Sequence, residues 1–159
     1  MVEIINYIFI IGLLGISQTS FLPHFSVMGS TLNSIFILYF IVVFFEEPQK
    51  YIQGIFSAAA AGFFLDIFSS SYFGASVASL LIVGLALKYT LSLLKKTKDR
   101  YPIVYFAPLF ILSFVVYNFL SAIAVYFNWV FLVEIIYNLA VALLGFYIYK
   151  KFGLYEFSK

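Results

Sequence analysis

The chain has 159 residues, of which 64% are hydrophobic and 10% charged, with a net charge of +2 and no cysteine. So apolar a composition excludes a soluble domain and leaves no stretch for a soluble catalytic one; the length suits about six spans of about 20 residues. Disulfides, thiolate metal sites and cysteine nucleophiles are excluded, and His24, the single histidine, cannot build a histidine-rich metal cluster, so no metal or cofactor is expected.

Six apolar stretches follow in chain order, at residues 2–17, 31–45, 51–68, 72–94, 102–127 and 129–149. The first carries Glu3 where a cleaved signal would carry Lys or Arg, and lacks a small-x-small end, so it is read as a retained helix. The link at 18–30 is itself apolar (Phe21, Leu22, Phe25, Val27, Met28) and is expected to fold back on the helix ends. The fold class predicted is an all-α integral membrane protein, a single six-transmembrane-helix bundle over residues 1–159.

Charge sets its orientation. Lys50 lies between spans two and three, Lys95, Lys96, Lys98 and Arg100 between four and five, and Lys150, Lys151 and Lys159 after span six. Lys88, about two turns from the end of span four, is expected to snorkel to the same side. All nine basic residues then fall on one face, so both termini are predicted to be cytoplasmic. The run Lys95-Lys-Thr-Lys-Asp-Arg100 admits nucleic acid or anionic head groups as partners, but its place reads as a topology-setting loop: membrane lipids are expected as partners, nucleic acid is not.

In this orientation the polar residues gather in the outer half of the bilayer. Gln18 ends span one, Asn33 starts span two, Asn118 lies in the outer half of span five, and Glu134 sits about 7–8 Å along span six from Trp129. Asn138 is one turn deeper on the same face. Two readings compete: an outward-facing polar cavity for a small molecule, lipid head group or partner helix, or side chains that satisfy one another and loop backbone. For Gln18, Asn118 and Asn138 the second is favoured, because amides hydrogen-bond readily across membrane helices. Asn33, after Ser30 and Thr31, suits a helix cap. Glu134 resists that reading, since a carboxylate at such depth is costly unless partnered or protonated.

Asp66 stands near the end of span three, against the negative end of that helix's dipole. Ser69, Ser70 and Ser71 follow as caps for span four, whose free amides are expected to bind the carboxylate and pin the turn. Gly54, Ala58 and Gly62 recur every fourth residue in span three, a groove that another helix can approach closely; Gly74 and Ala78, with Ala75 and Ser79, are expected to answer it from span four. The occupant of that groove is either span four itself or a partner's helix. Tyr101, Tyr126 and Trp129 read as interfacial anchors, and Phe106, Phe110, Phe114, Tyr117, Phe119 and Phe131 as bulk within spans five and six.

No phosphate-binding glycine loop, zinc-protease motif or nucleophile elbow occurs. Asp66 and Glu134 are the one carboxylate pair that a lipid-handling or glycosyl chemistry would use, and nothing in the sequence sets their separation. The expectation is a non-enzyme with no catalytic residues. A channel would need polar residues through the full depth, which the inner half lacks.

Nearly the whole chain resembles the MreD family of bacterial rod shape-determining proteins. The likeness rests on Gln18-Thr-Ser-Phe-Leu-Pro23 after the first helix, a loop to Asn33, the turn from Glu46-Glu47 to Gly54, and the block Gly62-x-x-x-Asp66-x-x-Ser69…Gly74. Leu32 departs from it, where the family often has proline before Asn33. The vitamin-binding S-components of energy-coupling-factor transporters resemble this chain in architecture and partly in the block. The first resemblance implies a subunit of the cell-elongation complex in the bacterial inner membrane, regulating cell shape and peptidoglycan synthesis. Its partners would be an MreC-like bitopic protein and, indirectly, an MreB-like filament, a RodA-type glycosyltransferase and a penicillin-binding transpeptidase. It also makes the span-three groove a candidate partner-docking surface, and Gln18, Asn33, Asp66, Ser69, Glu134 and Asn138 a candidate polar cluster.

Overall fold

The computed structural model describes residues 2–46, 51–68, 72–94, 101–121 and 128–151. Six α-helices run through them: α1 (Val2–Ser20), α2 (Ser34–Phe45), α3 (Tyr51–Phe68), α4 (Ala75–Leu93), α5 (Pro102–Ser121) and α6 (Trp129–Lys151). A one-turn 3-10 helix, Leu22–Phe25, follows α1, and Val27 and Ser30 close an isolated antiparallel bridge. No strand occurs among the described residues. The described residues thus form an all-helical fold, and α4, α5 and α6 are each long and apolar enough to cross a membrane. Shorter apolar helical stretches fill Phe9–Ser20, Ser34–Phe45 and Gly54–Phe68.

Two helices start later than hydropathy alone predicts, because the backbone at the boundary is committed elsewhere. Asn33 caps α2, its Oδ1 accepting the Phe36 amide at 3.0 Å. Gly74 precedes α4 with φ at +96°, a left-handed conformation that a glycine adopts without steric cost. Residues 122–127, expected to extend the fifth span, lie outside the described residues.

The helix α2 is the axis of the bundle. Nine of its twelve residues are buried, and each of the other five helices packs on it. Around it α1 packs on α3, α3 on α4, α4 on α5 and α5 on α6. Phe36, Phe40 and Phe44 recur every fourth residue on α2 and interleave with Phe106, Phe110 and Phe114 at the same spacing on α5. Centroids of Phe40 lie 5.3 and 5.1 Å from Phe106 and Phe110, edge to face, and Phe36 stands 5.2 Å from Phe114. Such pairs add about 0.5–1.5 kcal/mol each beyond the area they bury. The aromatic row on α5 is thus core, seated against a matching row on α2.

Lys88 corrects the sequence reading. It does not snorkel: its side chain is 3% exposed, and its Nζ lies 2.6 Å from Oε2 of Glu46, itself 4% exposed at the C-cap of α2. The half of the bundle expected to be free of buried polar groups therefore contains an ion pair. Glycine makes the space for it. A Cβ on Gly54 would stand 3.4 Å from both Glu46 Oε2 and Lys88 Cε. Nearby, the Tyr39 hydroxyl donates to the Leu80 carbonyl at 2.7 Å, passing over Gly84 where any side chain would collide with it.

Candidate functional site

Polar side chains collect at the end of the bundle where α1, α3 and α5 finish and α2, α4 and α6 begin. Asp66, on the last turn of α3, is 4% exposed. Its Oδ1 accepts the Ser76 amide at 2.8 Å, and its Oδ2 accepts the Gly74 amide at 2.8 Å and, more distantly, the Val77 amide at 3.5 Å. These are the amides that a helix start leaves without intrahelical partners, so one carboxylate both caps α4 and ties it to α3. The link expected between Asp66 and the start of the next helix is present in this geometry. Ser69, with the two serines after it, lies outside the described residues.

Close approach of α3 and α4 makes this possible. A Cβ on Gly62, one turn before Asp66, would fall against the backbone of Val77, only 2.6 Å from its nitrogen. Ala58, one turn earlier still, is 1% exposed. The row Gly54, Ala58, Gly62 therefore faces α4 of the same chain, and the groove offered to a partner's helix is already filled. The expected answer from Gly74 and Ala78 is also corrected. Gly74 serves in the turn, by its amide, and Ala78 points outward and exposed, while Val77 takes the place opposite Gly62.

The amides of the neighbouring helices hold the start of α2. Gln18 Oε1, from α1, accepts the Ser34 hydroxyl at 3.1 Å and the Ile35 amide at 3.3 Å. Asn138, fully buried on α6, accepts the Asn33 amide at 2.8 Å through Oδ1 and donates through Nδ2 to Thr31 and Glu134 carbonyls at 3.1 and 2.9 Å. Asn118 donates to the Phe114 carbonyl of its own helix at 2.9 Å. Satisfaction by backbone, the reading favoured for these three amides, is what the geometry shows. Exposed His24 lies on the 3-10 turn, which Tyr137 fastens to α6 by donating to the Phe25 carbonyl at 3.3 Å.

Between these caps lies a cavity of about 260 Å³, lined among others by Gln18, Thr31, Asn33, Ser76, Tyr117 and Ser121. The Tyr117 hydroxyl, from α5, reaches Ser76 Oγ at 3.5 Å. Sequence reasoning missed Ser76 and Tyr117 as members of this cluster. Ser76 had a signal, lying within the first turn after the Gly74 motif; Tyr117 read only as bulk.

Glu134 stands apart. It is partly exposed on α6, does not line the cavity, and makes no side-chain hydrogen bond or ion pair among the described residues. Neither Asp66 nor Glu134 is among the residues lining the cavity. Both Asp66 oxygens already accept backbone amides, a state suited to holding structure. No group of three metal-ligating side chains occurs among the described residues. Comparison of the chain with protein-family models, with curated proteins and with solved structures finds no match.

Proposed function

We propose that this chain is a non-enzymatic membrane subunit of the bacterial cell-elongation machinery, similar in role to the MreD family. In this reading all six helices cross the inner membrane, with both termini in the cytoplasm, as the one-sided distribution of Lys and Arg requires. The polar end of the bundle then faces the periplasm. The chain binds an MreC-like bitopic protein and so connects an MreB-like filament to a RodA-type glycosyltransferase and a penicillin-binding transpeptidase.

The observation that carries the proposal is the use to which the Gly62–Asp66–Gly74 block is put. These are the residues on which the family resemblance mainly rests. They supply a helix contact and a turn, with the carboxylate spent on the Gly74 and Ser76 amides. That supports a part whose task is to hold a shape for others to bind.

One observation favours a second reading. The cavity of about 260 Å³, bordered by amide and hydroxyl groups, has the size and polarity for a small solute, as an S-component of a vitamin transporter requires. Affinity purification separates the two. The tagged chain, co-expressed with the MreC-like protein of its own bacterium, is expected to bring that protein down in near-equal amount. Recovery of a transport ATPase pair, or of a tightly held small molecule, in its place would favour the transporter.

A further inference from the structure

The cavity of about 260 Å³ is walled by two kinds of surface. Gly15, Ile35, Leu65 and Phe68 make one side apolar, and Phe68 offers it an aromatic ring. The other side carries hydroxyl and amide groups from α1, α4 and α5 and from the cap of α2. The volume is that of about nine waters, at about 30 Å³ for each. Thr19 and Thr31 also line it and are exposed, so a solute can enter from that end of the bundle.

The polar side has hydrogen-bonding capacity left over. Gln18 spends its Oε1 on the Ser34 hydroxyl and the Ile35 amide, and its Nε2 has no acceptor among the described residues. Tyr117 and Ser76, only 6% and 2% exposed, meet at 3.5 Å, the limit of a hydrogen bond. The Asn33 and Ser121 side chains neighbour the same Tyr117 hydroxyl. Hydroxyls buried in this way are costly unless something polar pairs with them. Charge is missing from the wall. No charged side chain lines the cavity among the described residues, and none occurs in the sequence at 69–71 or 122–127, which follow Phe68 and Ser121. A cation would find no carboxylate there to replace its hydration. An anion would find no ammonium or guanidinium, and Asp66 lies just behind Ser76, whose amide it accepts. An apolar solute would leave the hydroxyls unpaired.

We infer that the cavity binds a neutral ring compound about the size of a monosaccharide. Its hydroxyl or amide groups face Gln18, Ser76 and Tyr117, and one face of its ring lies against the apolar side. The inference rests on the reading of this cavity as a solute site and adds the chemistry of the solute. It holds whether the chain serves elongation or transport.

The test uses the full chain purified in detergent, with glucose and uracil as neutral probes and glucuronate and glucosamine as charged ones. The rise of the unfolding midpoint with probe concentration reports binding. Glucose or uracil is expected to raise the midpoint, and neither charged probe is. Tyr117→Phe and Ser76→Ala, each of which removes one hydroxyl, are expected to weaken that binding about tenfold. Tyr89→Phe, on the exposed face of α4, is expected to leave it unchanged. Ser76→Ala keeps the backbone amide that bonds to Asp66, so it reads the site should Tyr117→Phe fail to fold. A response to glucuronate or glucosamine alone would overturn the neutral class and leave the solute reading standing. No response to any of the four probes would overturn both. Binding that survives both hydroxyl deletions would place the solute outside this cavity and overturn the site. Recovery of the MreC-like protein tests the elongation role separately and is untouched by these outcomes.

Discussion

Replacing Lys88 with methionine is expected to destabilise the folded bundle by about 3–5 kcal/mol, the range for removing one partner of a buried ion pair. The substitution keeps the length of the side chain and most of its apolar contact. What it removes is the ammonium 2.6 Å from Glu46 Oε2, in a place where both side chains are almost wholly shielded. The carboxylate at the end of α2 then stays buried without that counter-charge. Adding Glu46→Met to Lys88→Met is expected to recover most of the loss, to within about 1 kcal/mol of the parent, because a buried pair contributes little net stability over an apolar pair of similar volume. Reversible unfolding in mixed detergent micelles, followed by helix content, measures all three proteins. Equal stability of Lys88→Met and the parent would show that the pair is not buried as described.

Gly62→Leu is expected to have the other large effect. A Cβ alone already collides with the Val77 backbone, and backbone cannot rotate aside as a side chain can. The helices α3 and α4 have to separate, and the separation propagates to Asp66 one turn away, whose hydrogen bonds to Gly74 and Ser76 are both 2.8 Å long. Overpacking costs about 1–3 kcal/mol by itself, and each buried amide left unpaired costs about 1–3 kcal/mol more. Together these predict a loss of about 4 kcal/mol or more, seen as failure to accumulate in the membrane or as an early unfolding transition. Ala59→Leu, on the exposed face of the same helix, serves as the control and is expected to be near neutral.

The contrast between these two sites shows what a sequence of this kind reveals. Tyr51–Phe68 is helical throughout, as the uninterrupted apolar run over those residues predicts. Asp66 was legible too. An acid a few residues before a helix start has a local use, the unpaired amides of that start, and locality is what a linear reading captures. The partner of Lys88 lies 42 positions earlier in the chain, on a helix whose rotation nothing in its own residues announces. Read singly, a lysine two turns from a helix end snorkels; only the register of α4 on α2 turns it inward.

The same blindness to register explains the small residues. Gly54, Ala58 and Gly62 were correctly seen as a row that invites a helix, but a row does not state which helix accepts. Ala78 lies four residues beyond Gly74 and looked like its counterpart, yet α4 turns Val77 toward Gly62. The phenylalanine rows behave alike: the period on α5 is visible, while its complement on α2 emerges only when the two helices are laid together. The polar cluster was visible as a list of residues, and its division into caps, a cavity and the separate Glu134 was not.

The account depends most on the claim that Asp66 holds a turn and performs no chemistry. Thermal unfolding of Asp66→Ala, compared with the parent in the same detergent, tests it directly. Two amides that lose their acceptor imply about 2–4 kcal/mol, which for a chain of this length corresponds to a fall in midpoint of about 5–15 °C. Recovery of the proposed MreC-like partner is expected to fall in step with the folded fraction. An unchanged midpoint, with partner binding or cell shape nonetheless lost, would contradict the structural role and return Asp66 to the status of a reacting group.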